Sequence, residues 1–100
     1  MQDLNEIIKE IRLQKKFYSD LKLKLKSEIA ALPKGSIQKR IIKNHPYYYL
    51  QYRNKGKITH DYLGKKIKPE FVEQVKIRQK YEADIRPINE KLKLLKKFKV

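Results

Sequence analysis

Between Tyr47 and Gly64 the chain reads YYYLQYRNKGKITHDYLG, which holds five of the seven tyrosines beside Arg53, Lys55 and Lys57. Aromatic rings next to cations suit two tasks. A ring can stack on an unpaired base while the cations hold phosphates, or a two-stranded ribbon can enter a major groove where Arg and Gln address base edges. The neighbours His60 and Asp61 have the right types for acid–base work. Adjacent strand residues point to opposite faces, however, so the two cannot readily share a proton. His60 is expected to be a partly buried histidine beside Leu50, and His45, before Pro46, a turn residue. The chain has no phosphate-cradling glycine loop, activated-nucleophile motif or paired-His spacing, and no cysteine. It is read as a non-enzymatic protein with no cofactor and no metal site.

The elements that would position these residues follow from the turn signals. Asn54-Lys55-Gly56 suits a three-residue hairpin loop, because glycine takes the left-handed closing position without a Cβ penalty. The hairpin would then run over 47–53 and 57–63. Pairing Arg53 with Lys57 sets Tyr52 opposite Ile58, Leu50 opposite His60 and Tyr48 opposite Tyr62, on a face expected to pack as core. The opposite face would carry Tyr49, Gln51, Arg53, Lys57, Thr59 and Asp61, with Tyr47 beside them, and is the expected binding face. Pro33-Lys34-Gly35-Ser36 forms a turn, and Ile37–Lys43 reads either as a strand or as more helix. Asn44-His45-Pro46 would reverse the chain into the tyrosine run, giving a sheet of two or three antiparallel strands.

Two long helices flank this stretch. Over about 4–32, Leu4, Ile11, Tyr18, Leu25 and Leu32 recur every seven residues, with Ile7, Ile8, Leu21 and Ile29 widening the stripe. Asp3 followed by Glu6 marks the start and Pro33 the stop. Residues 21–26 alternate Leu and Lys with a strand-like period, but both are good helix formers and the seven-residue line crosses them unbroken. Gln14 and Glu28 are polar interruptions in the seam, expected at frayed or solvated positions and not as residues that set its register. Over about 69–98, Pro69 and the acidic Glu70 and Glu73 suit a helix start, and the stripe runs from Phe71 through Val75, Tyr81, Ile85, Ile88, Leu92 and Leu95 to Phe98. Pro87 either kinks this helix or divides it. The two stripes are expected to pair antiparallel, which makes the chain a single α+β domain over 1–100 with the small sheet inserted between its helices. The same seam would also admit a second copy of the chain.

Charge narrows the partner. The formal net charge is +15, unevenly spread. Residues 1–32 hold seven Lys/Arg against five Asp/Glu, a net of +2; residues 33–68 hold ten against one, +9; residues 69–100 hold nine against five, +4. A polyanion is the natural partner of the middle segment, since neutralising phosphates releases counterions. Twenty-one of the 26 cations are lysine, which AT-rich coding also produces on solvated helix faces, but that bias does not account for the scarcity of acids around the hairpin. The expected function is therefore DNA or RNA binding, with Lys39, Arg40, Lys43, Tyr49, Gln51, Arg53, Lys55, Lys57, Lys65 and Lys66 as contacts. The alternative is a protein-interaction module, or a mobile-element or phage-borne regulator or inhibitor, that meets an acidic surface on a larger protein. No apolar run approaches the roughly 20 residues of a membrane span, so no membrane partner is expected and the location is read as cytoplasmic.

Four segments carry a resemblance: LPKGSI at Leu32–Ile37, PYYYLQYR at Pro46–Arg53, Gly56-Lys57, and YLGK at Tyr62–Lys65. Together, over about residues 32–95, they resemble a family of small prokaryotic proteins of unknown function that place a Tyr-rich hairpin between two helices. The hairpin also resembles one near the start of some insertion-sequence transposases. The resemblance implies the helix–hairpin–helix layout and an association with mobile elements, and it implies no activity. Members of that family often carry a Cys-rich knuckle before the tyrosine run. This chain has IQKRIIKNH there, so a metal role does not carry over.

Overall fold

A carboxylate opens the first helix. In the computed structural model, which describes residues 3–100, Asp3 Oδ1 accepts a hydrogen bond from the Glu6 amide at 2.8 Å, and the Asp3 carbonyl accepts from Ile7 at 3.2 Å. This capping satisfies donors that a helix start otherwise leaves open. Helix α1 runs Leu4–Ala30, two residues short of the expected end, because Leu32 precedes Pro33 and a residue before proline is pushed out of helical geometry. The sheet follows as β1 (Ser36–Ile42), β2 (His45–Asn54) and β3 (Lys57–Gly64), and α2 covers Pro69–Leu95. The chain is thus an α+β fold, with a three-stranded antiparallel meander between two helices in the order β1-β2-β3.

By internal contacts the chain divides into two compact units, one made of residues up to Ala30 with Tyr81–Val100, the other of Ala31–Lys80. In the helical unit the half-buried residues Ile8, Ile11, Lys15, Tyr18 and Leu25 of α1 recur at intervals that bring them to one side. From α2 the unit takes Ile85, Ile88, Leu92 and Leu95, of which Ile88 and Leu95 are only 7% and 8% exposed. Lys15 donates through Nζ to the carbonyls of Phe98 and Val100, a contact consistent with antiparallel pairing of these segments. Lys15 is thus a half-buried polar residue on this side; Gln14 is exposed, as expected of a solvated position, whereas Glu28 is half-buried. Leu4, Ile7 and Phe98, counted in the stripes from sequence, are exposed.

Pro87 lies inside one continuous helix. Its missing donor frees the carbonyl of Ala83, an exposed residue on the solvent side, where water can replace the lost bond. The helix ends at Leu95, and Phe98 closes a turn onto the Leu95 carbonyl at 3.1 Å.

The sheet unit has its own core. Val75, 2% exposed, lies on the first half of α2 beside Val72, and with Ser36 and Ile37 they line one small cavity. Gln79 Nε2 donates to the Gly35 carbonyl at 3.2 Å, and Arg78 Nη1 to the Leu32 carbonyl at 2.6 Å. Gly35 has φ +118°, and a Cβ there would stand 2.4 Å from the Gln51 carbonyl oxygen. No other residue fits this close passage of the Pro33–Ser36 turn over β2.

Both strand connections are two residues long. Ile42 pairs with His45 and Asn54 with Lys57, leaving Lys43-Asn44 and Lys55-Gly56 as the turns. All four turn residues have positive φ, 52° and 66° in the first turn and 51° and 80° in the second. Such turns match the twist of the strands they join. His45 and Pro46 therefore belong to β2 and not to the reversal expected for them. Pro46 lies beyond the Tyr48–Gly64 pair that ends the β2–β3 ladder, at a position where a missing backbone donor faces an open edge.

The second turn corrects the register expected from sequence. With a two-residue loop, Arg53 faces Ile58, Tyr52 faces Thr59, Gln51 faces His60, Leu50 faces Asp61 and Tyr49 faces Tyr62. A slip of one residue moves a whole strand's side chains to the other face. The β2 assignments stand, but those of β3 are inverted: Lys57, Thr59 and Asp61 share the face of Leu50 and Tyr52, while Ile58, His60 and Tyr62 share that of Tyr49 and Arg53.

Candidate nucleic-acid interface

Alternation along the strands and the β2 pairings define the composition of the outer face. It carries Gln38 and Arg40 from β1, Tyr47, Tyr49, Gln51 and Arg53 from β2, and Ile58, His60 and Tyr62 from β3. None of the strand residues on it is acidic. At its centre three phenol rings meet. Tyr49 and Tyr62 are direct cross-strand neighbours with ring centroids 5.3 Å apart, and Tyr47 lies 6.4 Å from Tyr62, with interplanar angles of 51° and 41°. Two cations rest on them: the Arg40 guanidinium carbon is 4.8 Å from the Tyr49 centroid, and Lys65 Nζ is 5.9 Å from that of Tyr47. The negative faces of aromatic rings attract cations in this way, the more so where water is partly excluded.

Of the ten residues expected to make contacts, the outer face gathers Arg40, Tyr49, Gln51 and Arg53, with Lys65 joining through its ring contact. Lys39 is exposed but pairs with Tyr48 on the inner face, and Lys57 pairs there with Asn54. Lys43 and Lys55 occupy the turns at opposite ends of β2, about 30 Å apart for a ten-residue strand. Lys66 lines a separate cavity with Leu63, Ile67 and Phe71.

Three outer-face residues were assigned elsewhere from the sequence. Tyr62 was expected in the core and is 56% exposed; His60 was expected beside Leu50 and is exposed opposite Gln51; Ile58 is 55% exposed. Loop length was the only signal that could have placed them, because the alternation of β3 is the same in either register.

The inner face engages its tyrosine differently. The Tyr52 phenol is pushed above its usual pKa of 10, first by its hydrogen bond with Asp61, then by burial and by the negative charge of that carboxylate. Leu50, Tyr52, Asp61 and Pro33 line an open cleft of about 400 Å³, across which Lys34 Nζ donates to the Arg53 carbonyl at 3.1 Å. Among the described residues no group of three His, Cys, Asp or Glu side chains could hold a metal ion, and no helix is long and apolar enough to cross a membrane.

No curated protein and no solved structure matches the chain. Residues 2–73 match a domain of unknown function, DUF6788, a span that takes in the first helix, the whole meander and the first residues of α2. By this match, which covers most of its length, the chain belongs to the DUF6788 family.

Proposed function

We propose that this protein binds nucleic acid, without catalysis, through the outer face of its meander. The observation that carries this reading is the make-up of that face: three adjoining tyrosines, two cations resting on their rings, and no carboxylate among its strand residues. Phosphates supply the counter-charge such a surface lacks, and bases supply flat partners for its rings. Arg40, Arg53 and Lys65 are the phosphate-binding groups in this reading, and Gln51 is placed beside them to address a base edge. The turn lysines Lys43 and Lys55 extend the cationic surface at either end. The cysteine-free composition fits a cytoplasmic setting, and the transposase-like hairpin fits a role linked to mobile elements or phage.

The test is a salt series. Fluorescence anisotropy of labelled DNA and RNA should give log K falling linearly with log salt, and Arg40→Ala with Arg53→Ala should flatten that slope by about two units. Unchanged affinity and slope in the double variant would remove these residues from the site.

One observation favours a second reading. Leu13 and Phe17, one turn apart on α1, and Leu94 on α2 are all more than half exposed, which suits contact with a larger protein or a second copy of the chain.

A further inference from the structure

We infer that the Tyr47–Tyr49–Tyr62 cluster is a stacking platform for unpaired bases, which makes the ligand a single strand and not a duplex. The inference rests on the nucleic-acid reading above and specifies its substrate class. Spacing is the first argument. Tyr47 and Tyr49 are two residues apart on β2, about 6.8 Å along the strand, whereas bases in a duplex follow one another every 3.4 Å with their flat faces covered. Each ring can meet a base only if the strand is splayed open, which an unpaired strand allows.

Width is the second argument. A major groove about 12 Å wide admits a two-stranded ribbon. The Tyr49–Tyr62 part of the platform lies where β2 is paired on both sides, Tyr49 with Gln38 of β1 and with Tyr62 of β3, and Tyr47 follows just past the end of the β3 pairing. Three strands about 4.8 Å apart span about 10 Å of backbone before side chains are added, so the platform cannot be inserted. Only the two ends of the sheet are two-stranded and slim enough for a groove: the β2–β3 tip with Arg53, Lys55 and Lys57, and the β1–β2 end with the Lys43-Asn44 turn. Duplex binding and single-strand binding therefore draw on different residues. The third argument is accessibility: Tyr62 is 56% exposed at the centre of the cluster, and the cations held at the neighbouring rings are poised to take the phosphates of a stacked nucleotide.

The experiment compares the full chain on four probes: short oligo(dT), short oligo(U), a mixed-sequence duplex of equal length, and inorganic polyphosphate. Either single strand should bind at least tenfold tighter than the duplex and quench tyrosine emission, the protein's only strong intrinsic signal since it has no tryptophan. Tyr62→Leu keeps an apolar side chain at an exposed position and should weaken single-strand binding about fivefold to a hundredfold, leaving duplex and polyphosphate binding unchanged. Lys55→Ala with Lys57→Ala should do the reverse, affecting the duplex more. Equal affinity for single strand and duplex, insensitive to Tyr62→Leu, would overturn the platform and leave nucleic-acid binding standing. Binding to none of the probes would overturn both. Tyrosine quenching by the wild type is read independently of any variant's folding, and a flat emission signal on saturation with oligo(dT) and oligo(U) would also count against the platform.

Discussion

The two faces of the meander are built from the same aromatic residue and use different parts of it. On the inner face Tyr52 engages its hydroxyl, held by the Asp61 carboxylate beside Leu50. On the outer face Tyr49 and Tyr47 engage their rings, which carry Arg40 and Lys65. Tyrosine permits both, having an apolar body with a polar tip. The sign of the neighbouring charge decides between them: a carboxylate accepts a hydrogen bond from the phenol, whereas a cation on the ring leaves the surface short of negative charge. Composition alone treats all five hairpin tyrosines alike, and it is their neighbours that separate packing from binding.

This contrast can be broken most sharply at Gly35. Placing a Cβ 2.4 Å from the Gln51 carbonyl, at a φ that side chains avoid, forces the turn off β2. Gly35→Ala should destabilise the chain by about 3 kcal/mol in urea unfolding. A loss below about 1 kcal/mol would show that the turn is free to move. A smaller effect separates core from surface: Val75→Ala should cost about 2 kcal/mol through the cavity it leaves. Tyr62→Leu should stay within about 0.5 kcal/mol in the same measurement. Equal losses would mean that the outer rings hold the fold together and are not held in readiness for a ligand.

The smallest effect concerns the inner hydroxyl. A raised pKa means that the folded chain favours the protonated phenol. The stability this adds is fully present below the ordinary value of 10 and is lost as pH rises through the raised one. The melting-temperature difference between wild type and Tyr52→Phe should therefore be constant at neutral pH and change only in the alkaline range, with the wild type losing its advantage. Parallel curves throughout would remove the Asp61 bond from the account.

Much of the architecture was legible because it depends on patterns that repeat. The helix stripes, the Asp3 cap, the Pro33 stop and the faces of β2 all follow from periodicity or from residues with one strong conformational preference. The face of β3 was not legible, because it hangs on a single choice at Asn54. A three-residue loop ending in Gly56 and a two-residue loop of Lys55-Gly56 are both compatible with the residues. The latter puts Lys55 at φ 51°, where asparagine, aspartate or glycine would be the usual signal. The same unusual lysine occurs at Lys43, where the reversal was expected one residue too late, from Asn44. The site was half-legible for this reason: Tyr49, Gln51 and Arg53 sit on β2, whose faces were correctly read, whereas Tyr62 moved with β3 and Arg40 sits on β1, whose faces the sequence left unassigned.

The two-residue turns also bear on the order in which the chain acquires its structure. Every strand pairing in the meander closes a loop of minimal length, so little chain entropy is lost in bringing partners together, whereas the helical unit must join segments separated by Ala31–Lys80. A meander that forms first shortens that separation, and docking of the helical segments becomes the later event. In stopped-flow experiments, disturbing the second turn with Gly56→Ala should then slow folding, while Ile88→Ala should mainly hasten unfolding. The reverse pattern would mean that the helices dock before the strands pair.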